Sequence, residues 1–170
     1  ISSRPVETWE NLTRFPHLQT IDLPPLEVQE IREIIREYCK IYHKELSDGN
    51  ISLLIKRAAG SPLYLKVALD EILCSGIAVG QLAMSIDQLL EQILQRLQKI
   101  HGRECIDDYL GFIAAARSGI TEEEIWELLT AKHKLGDDRL LSITKALDHF
   151  VILRMGMLTF FHPEFERTLK

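Results

Sequence analysis

The sequence predicts a mainly helical protein in three parts: the end of a sheet domain over residues 1–25, a helical bundle over 26–101 and a winged helix over 102–170. Two observations lead to this prediction. Apolar residues recur at intervals of three and four through most of the chain, which is the period of amphipathic helices. After residue 102, three helical segments precede two short apolar runs joined through Gly156, which is the element order of a winged helix.

The first part shows strand signals and little helical period. Residues 1–3 are typical of the end of a strand, which Arg4-Pro5 terminates. Residues 17–23 alternate weakly between polar and apolar side chains and predict a second short strand, closed by Pro24-Pro25.

Four helices are predicted in the bundle, with a turn at residues 47–50. Gly60 can end one helix in the left-handed region, and Pro62 can begin the next, where a missing N–H costs nothing. The helix that starts at Pro62 is apolar enough to be buried on most sides. The predicted helices span residues 27–42, 51–59, 62–74 and 86–100.

The third part is predicted to contain three helices, a hairpin and the start of a last helix at Pro163. Thr121 and Glu124 have the spacing of a capping box, and the three acids at 122–124 favour the positive end of a helix dipole. Leu128 is expected on the core face of that helix. The predicted helices span residues 105–116, 121–130 and 140–150, and the strands of the hairpin lie within residues 151–161.

Composition indicates a folded chain without a general affinity for polyanions. Of 170 residues, 46% are hydrophobic and 26% charged, and the net charge is −5 with a pI near 5.7. Cys39, Cys74 and Cys105 lie in apolar helical runs, which predicts buried, reduced thiols. No apolar run approaches 18 residues and no signal peptide is visible, so a cytoplasmic protein without a membrane partner is expected. The opening without Met suggests a piece of a longer chain.

The sequence offers no hydrolytic or metal motif. The six histidines lack metal-ligand spacing, and no GxxxxGK[ST] phosphate loop, HExxH or GxSxG occurs. DNA binding by the winged helix is also disfavoured. Residues 121–170 carry seven Lys/Arg against nine Asp/Glu, whereas a groove-reading helix needs basic and amide side chains toward the phosphates and base edges.

Three positions remain as candidate ligand contacts, each with an ordinary structural alternative. Arg4 follows a strand end, where ligands of open α/β sheets bind, or it is simply an exposed arginine. Gly60-Ser61-Pro62 is either helix punctuation or a corner that packs on a planar base. His162 lies between a strand and a helix N-terminus, where an anion is favoured, or it is a structural histidine.

Five segments of the chain resemble the second half of NACHT-type STAND ATPases, in the family's order: "ISSRP", "IDLPPLEVQEIREIIREY", "GSPLYLKVALDEI", "ARSGITEEEIWELL" and "LTFFHPEFERTL". The resemblance covers nearly the whole chain and is strongest for animal members with WD or TPR repeats, such as the nephrocystin and telomerase-associated types. It implies that residues 1–25 end an α/β NTPase domain, 26–101 form its helical lid and 102–170 its winged helix. The family's upstream half, with the phosphate loop and the acidic magnesium-binding strand, would precede this chain.

The resemblance also assigns roles to the candidate residues. Arg4 matches the sensor arginine for the terminal phosphate of ATP, Pro62 after Gly60 matches the proline on the adenine, and His162 matches the histidine that reaches the ADP phosphates. Ser61 departs from the Gly-Leu-Pro that the family often has at this corner. The implied mechanism is a switch: ADP holds lid and winged helix on the nucleotide domain, and exchange for ATP releases them and permits oligomerisation.

This resemblance implies ADP or ATP as cofactor, with Mg²⁺ supplied by the upstream half, and no ATPase activity for this chain alone. The implied partners are the upstream nucleotide-binding half, a repeat domain downstream and further copies of the protein on activation. Two other functions stay open. One is a helical and winged-helix scaffold for protein interactions that binds no nucleotide. The other is a winged-helix nucleic-acid binder, against which the acidic balance argues.

Overall fold

The computed structural model describes residues 23–116, 119–148, 150–162 and 165, and this part of the chain is mainly helical. The two strands predicted within residues 1–23 lie outside it, apart from Leu23, which is in neither a helix nor a strand. The first half contains four α-helices and one 3₁₀ turn. They are α1 (Val28–Ile41), α2 (Asp48–Ala58), α3 (Pro62–Leu73), the 3₁₀ turn (Val79–Gln81) and α4 (Ile86–His101).

In the described residues of the second half, three helices and a two-stranded antiparallel sheet are bounded: α5 (Arg103–Ala115), α6 (Glu122–His133), α7 (Asp137–Leu147), β1 (Val151–Arg154) and β2 (Met157–Phe160). Arg154 pairs with Met157 across the turn. The two turn residues, Met155 and Gly156, both have positive φ, 50° and 80°. This is the conformation of a two-residue type I′ loop, whose twist matches that of the strands. The predicted hairpin is confirmed.

A further extended residue lies beside β2. Ile120, between α5 and α6, forms an isolated antiparallel bridge with Leu158, and the Leu158 N–H donates to the Ile120 carbonyl at 2.7 Å. The segment before α6 is therefore attached to the sheet on the side of β2.

Side-chain caps explain where several helices begin. The Thr121 hydroxyl accepts from the Glu124 N–H, and the Glu124 carboxylate accepts from the Thr121 N–H, so the predicted capping box is confirmed. The Glu124 carboxylate accepts from both the N–H and the hydroxyl of Thr121, and these two hydrogen bonds lower the pKa of Glu124. The turn predicted at residues 47–50 is wrong, because Ser47 accepts from the Asn50 N–H at 3.3 Å and starts α2 at Asp48.

Helix α3 is the centre of the first half, as its apolar sequence predicts. Nine of its twelve residues are buried, and it packs against α1, α2 and α4. Two of the buried residues are acids. Asp70 pairs with Lys66 at 2.8 Å, and Glu71 pairs with Arg96 of α4 at 2.7 Å. These ion pairs offset part of the cost of burying two carboxylates in an apolar helix.

Two burial predictions are wrong. Leu128 does not lie on the core face of α6: its side chain is 42% exposed, while Ile125 and Leu129 are fully buried. Cys74 is exposed because it follows the last turn of α3, whereas Cys39 is half-buried and Cys105 buried. All three thiols are free.

Among the described residues, no helix combines the length and the apolar character that a membrane span requires.

Candidate functional site

The predicted nucleotide corner at Gly60 is a tight junction between α2 and α3. Ala59 and Gly60 both adopt the left-handed region, with φ of 46° and 80°. The Ser61 hydroxyl then accepts from the Tyr64 N–H at 3.2 Å and caps α3, whose first residue is Pro62. This geometry confirms the punctuation of the two helices. It leaves Pro62 exposed at the start of a helix.

Position 60 requires glycine for two reasons: its φ is positive, and residues 25 and 26 lie too close to leave room for a Cβ. The Leu26 N–H donates to the Gly60 carbonyl at 2.9 Å, and a Cβ on Gly60 would lie 2.6 Å from the Pro25 Cβ. Residues 25 and 26 therefore fill one side of the corner. Any ligand that packs on Pro62 has to approach from another side.

His162 follows β2 and ends a segment that returns toward the core. The N–H of Phe161 donates to the Phe150 carbonyl at 2.8 Å, and the carbonyl of His162 accepts from the Phe165 N–H at 3.0 Å. His162 is half-buried and takes part in an interaction. His162 is thus held beside a packed aromatic pair, because Phe150 and Phe165 meet edge to face with their centroids 4.8 Å apart.

One contact brings the two predicted site segments together. The Lys66 ammonium lies 5.1 Å from the centroid of the Phe161 ring, within the range of a cation–π interaction. Lys66 stands one helical turn after Pro62 on the same side of α3, and Phe161 immediately precedes His162. The face of α3 that begins at Pro62 therefore meets the segment that ends at His162.

Side chains fill most of the space where α3 meets the segment that ends at His162. They enclose a cavity of about 10 Å³, enough for one water molecule, lined by Val67, Asp70, Glu71, Ile93, Phe150 and Phe165. A nucleotide does not fit there.

A larger groove of about 450 Å³ runs along the hairpin and contains none of the predicted site residues. Ile113 in the last turn of α5 and Ala116 just after it lie on one wall, and residues 154, 155 and 157–160 form the other. Arg4, the remaining predicted contact, lies outside the described residues. The structure therefore brings together the segments of Pro62 and His162, and neither cavity shows a preformed nucleotide pocket around them.

Sequence reasoning missed the cations that organise this region. Lys66 contacts Phe161, and Arg57 binds three backbone carbonyls in the segment 79–82. Lys66 is the one basic residue of α3 and Arg57 follows Lys56 in α2, and the partner of each lies far away in the sequence. The sequence contains one indication of such contacts. Asp70 and Glu71 lie in an apolar helix, and buried acids require cationic partners.

Another polar cluster joins α5 to the end of α6. Asp108 Oδ2 lies 2.6 Å from His133 Nε2 and 2.7 Å from the Lys132 ammonium. The hydrogen bond from Lys132, followed by that from His133, holds the pKa of Asp108 below its usual value. These hydrogen bonds connect the two helices.

The described residues contain no group of three His, Cys, Asp or Glu side chains that could hold a metal ion. The exposed charges of α7 balance, with Asp137 and Asp138 against Arg139 and Lys145. Arg139 moreover donates to the His101 carbonyl at 3.1 Å, so it is engaged within the protein. These features do not form an electropositive surface for nucleic acid.

No protein-family model matches the sequence, and no solved structure matches the fold. The function proposed below therefore rests on the residues and contacts of this chain.

Proposed function

We propose that this chain is the regulatory lid of a nucleotide-controlled switch of the NACHT-type STAND class. In this proposal residues 26–101 form the helical lid and residues 102–170 a winged helix, and both hold ADP against an upstream nucleotide-binding half. The contact of Lys66 with Phe161 carries the proposal, because it joins the helix that begins at Pro62 to the segment that ends at His162. One ligand can contact both residues only if these two segments meet.

The element order of the second half supports the winged-helix part of the proposal. Helix α5 is followed by the extended residue Ile120, then by α6 and α7, and then by the hairpin. The bridge from Ile120 to Leu158 gives the sheet a short third member next to β2. A winged helix has this arrangement of three helices and three strands.

The proposed ligand is ADP in the resting state and ATP in the active state, with Mg²⁺ held by the upstream half. Gly60 and Pro62 would face the adenine, and Arg4 and His162 the phosphates. A ligand that bridges two domains stabilises the arrangement that supplies both sets of contacts. Exchange would release the winged helix and permit oligomerisation in the cytoplasm, with a repeat domain downstream as a further partner.

The proposal predicts that Pro62→Ala and His162→Ala both weaken ADP binding by the intact protein that includes the upstream half. His162→Ala should raise the Kd about ten- to a hundredfold, since a hydrogen bond to a charged group contributes about 1.5–3 kcal/mol. Pro62→Ala should have a smaller effect because it removes apolar contact only. Isothermal titration calorimetry measures both.

The matched controls are Pro24→Ala and His43→Ala, which change exposed residues of the same types and should leave the Kd unchanged. Binding that is indifferent to both site substitutions would contradict the proposal.

A protein-interaction scaffold is the second candidate function, and one observation favours it. The tip of the hairpin is apolar and exposed, with Leu153 at 61% and Met155 fully accessible. Such a surface is typical of a contact with another protein. Absence of any ADP binding by the intact protein would favour this function over the switch.

A nucleic-acid binder is the third candidate, and the exposed charges of α7, two acids against two bases, argue against it because they leave no positive excess. Strong retention on heparin, lost steeply with added salt, would be needed to revive it.

A further inference from the structure

Both helices that flank the Gly60 corner are tied to the same loop. Arg57, in the last turn of α2, donates through Nη1 to the carbonyls of Val79 at 2.6 Å and Leu82 at 2.5 Å. Its Nη2 donates to the Gly80 carbonyl at 3.1 Å. The planar guanidinium thus satisfies three backbone acceptors, which a lysine ammonium cannot match with the same geometry.

Helix α3 reaches the next residue of that loop. The hydroxyl of Tyr64, in the first turn of α3, donates to the Ala83 carbonyl at 2.5 Å. Burial raises the pKa of this hydroxyl, which keeps it protonated as a donor. From α4, Gln92 fixes the loop independently, since its side chain bonds the Gln81 carbonyl at 2.9 Å and the Ala83 N–H at 3.0 Å.

These hydrogen bonds define a clamp, formed by Arg57 and Tyr64 on residues 79–83. Arg57 precedes Gly60 by three residues, and Tyr64 follows Pro62 by two. Because each helix is bonded to one anchored loop, the clamp sets the direction in which α3 leaves the corner. Residues 25 and 26 contact the opposite side of the Gly60 corner. The clamp therefore restricts the position of Pro62 without itself being part of the exposed corner.

We propose that Arg57 and Tyr64 are positioning residues for the nucleotide: they hold Pro62 in the place where it packs on the adenine. This inference rests on the function proposed above. A corner that is already ordered loses less conformational entropy when a ligand binds, so its preorganisation increases affinity. Loss of the clamp should weaken ADP binding although neither residue touches the ligand.

The test uses Tyr64→Phe, Arg57→Met and Arg57→Lys in the intact protein that includes the nucleotide-binding half. Tyr64→Phe removes one hydrogen bond and keeps the buried ring, so the ADP Kd should rise about threefold. Arg57→Met should raise it about tenfold, and Arg57→Lys should recover part of the loss because an ammonium can still bind a carbonyl. Hydrogen exchange at the Tyr64 amide, which bonds the Ser61 cap, should become faster.

Thr144→Val is the matched control for lost stability. It removes the acceptor of the Trp126 Nε1 hydrogen bond, 3.1 Å long, in the other half of the chain with little change of volume. It should lower the melting temperature about as much as Tyr64→Phe and leave the ADP Kd unchanged.

A double-mutant cycle with Pro62→Ala separates positioning from general destabilisation. If the clamp acts through Pro62, Arg57→Met should change the Kd much less in the Pro62→Ala background than in the wild type. If the Kd changes of Arg57→Met and Pro62→Ala simply add, the inference is wrong. It is also wrong if Arg57→Met leaves the Kd unchanged. Neither result contradicts the proposed function. Should Pro62→Ala itself leave the Kd unchanged, the proposed function fails and the inference fails with it.

Discussion

Arg96→Met should destabilise the chain by about 3–5 kcal/mol, because it leaves the buried carboxylate of Glu71 without its cation. The Glu71 side chain is 3% exposed, and the Arg96 guanidinium lies 2.7 Å from its Oε1. Among the described residues, the other side-chain donor to Glu71 is the Ser75 hydroxyl at 3.2 Å. Methionine retains the length of the aliphatic stem, so the loss would come from the unpaired charge. Urea denaturation followed by circular dichroism measures it.

Two further variants make this prediction specific. In the double variant Arg96→Met with Glu71→Leu, most of the lost stability should return, since apolar replacement of a buried ion pair is often close to neutral. Lys40→Met breaks the pair with Glu37, whose side chains are 71% and 65% exposed, and should cost less than about 1 kcal/mol. Equal losses of stability in Arg96→Met and Lys40→Met would contradict the claim that the buried ion pair of Glu71 contributes more than the exposed pair of Glu37.

Leu129→Ala should destabilise the chain by about 2–5 kcal/mol, and Leu128→Ala by less than about 1 kcal/mol. The two residues are neighbours in the interior of α6, so the change in helix propensity is the same for both. Leu129 is fully buried, whereas Leu128 is 42% exposed. Thermal and urea unfolding of the two variants compare how much the buried and the exposed face of α6 contribute to stability. The opposite order of effects would place Leu128, and not Leu129, in the core.

The sequence could not decide between these two leucines. Counted from Ile125, Leu128 follows at three residues and Leu129 at four, and both spacings fit one face of a helix. The rotation of α6 is set by its tertiary packing, in which Trp126 donates to the Thr144 hydroxyl of α7 at 3.1 Å. That partner belongs to another helix and leaves no trace in the local pattern of α6.

Local signals did predict the features that depend on neighbouring residues. The positive φ of Gly60, the start of α3 at Pro62 and the capping box at Thr121 each follow from side chains within a few positions. The hairpin turn at Gly156 belongs to the same class. At residues 47–50 the local signal led to the wrong prediction of a turn, because helix N-caps such as Ser47 and turns favour the same types of residue.

The candidate site was only partly predictable because its geometry depends on contacts over long sequence distances. Pro62 and His162 are remote in sequence, and the contact that relates them is made by Lys66 and Phe161. No periodicity indicates that a lysine on α3 lies over a ring next to the hairpin. The clamp of Arg57 on residues 79–82 is of the same kind, since it joins a helix to a loop beyond the next helix.

The most direct test of the switch is amide hydrogen exchange of the intact protein, with and without ADP. If one ADP contacts both segments, exchange should slow together at residues 60–64 and 160–162, by up to about a hundredfold when ADP is present at a hundred times its Kd. Protection confined to one segment, or absent from both while ADP is bound, would contradict the proposed nucleotide bridge between residues 26–101 and residues 102–170.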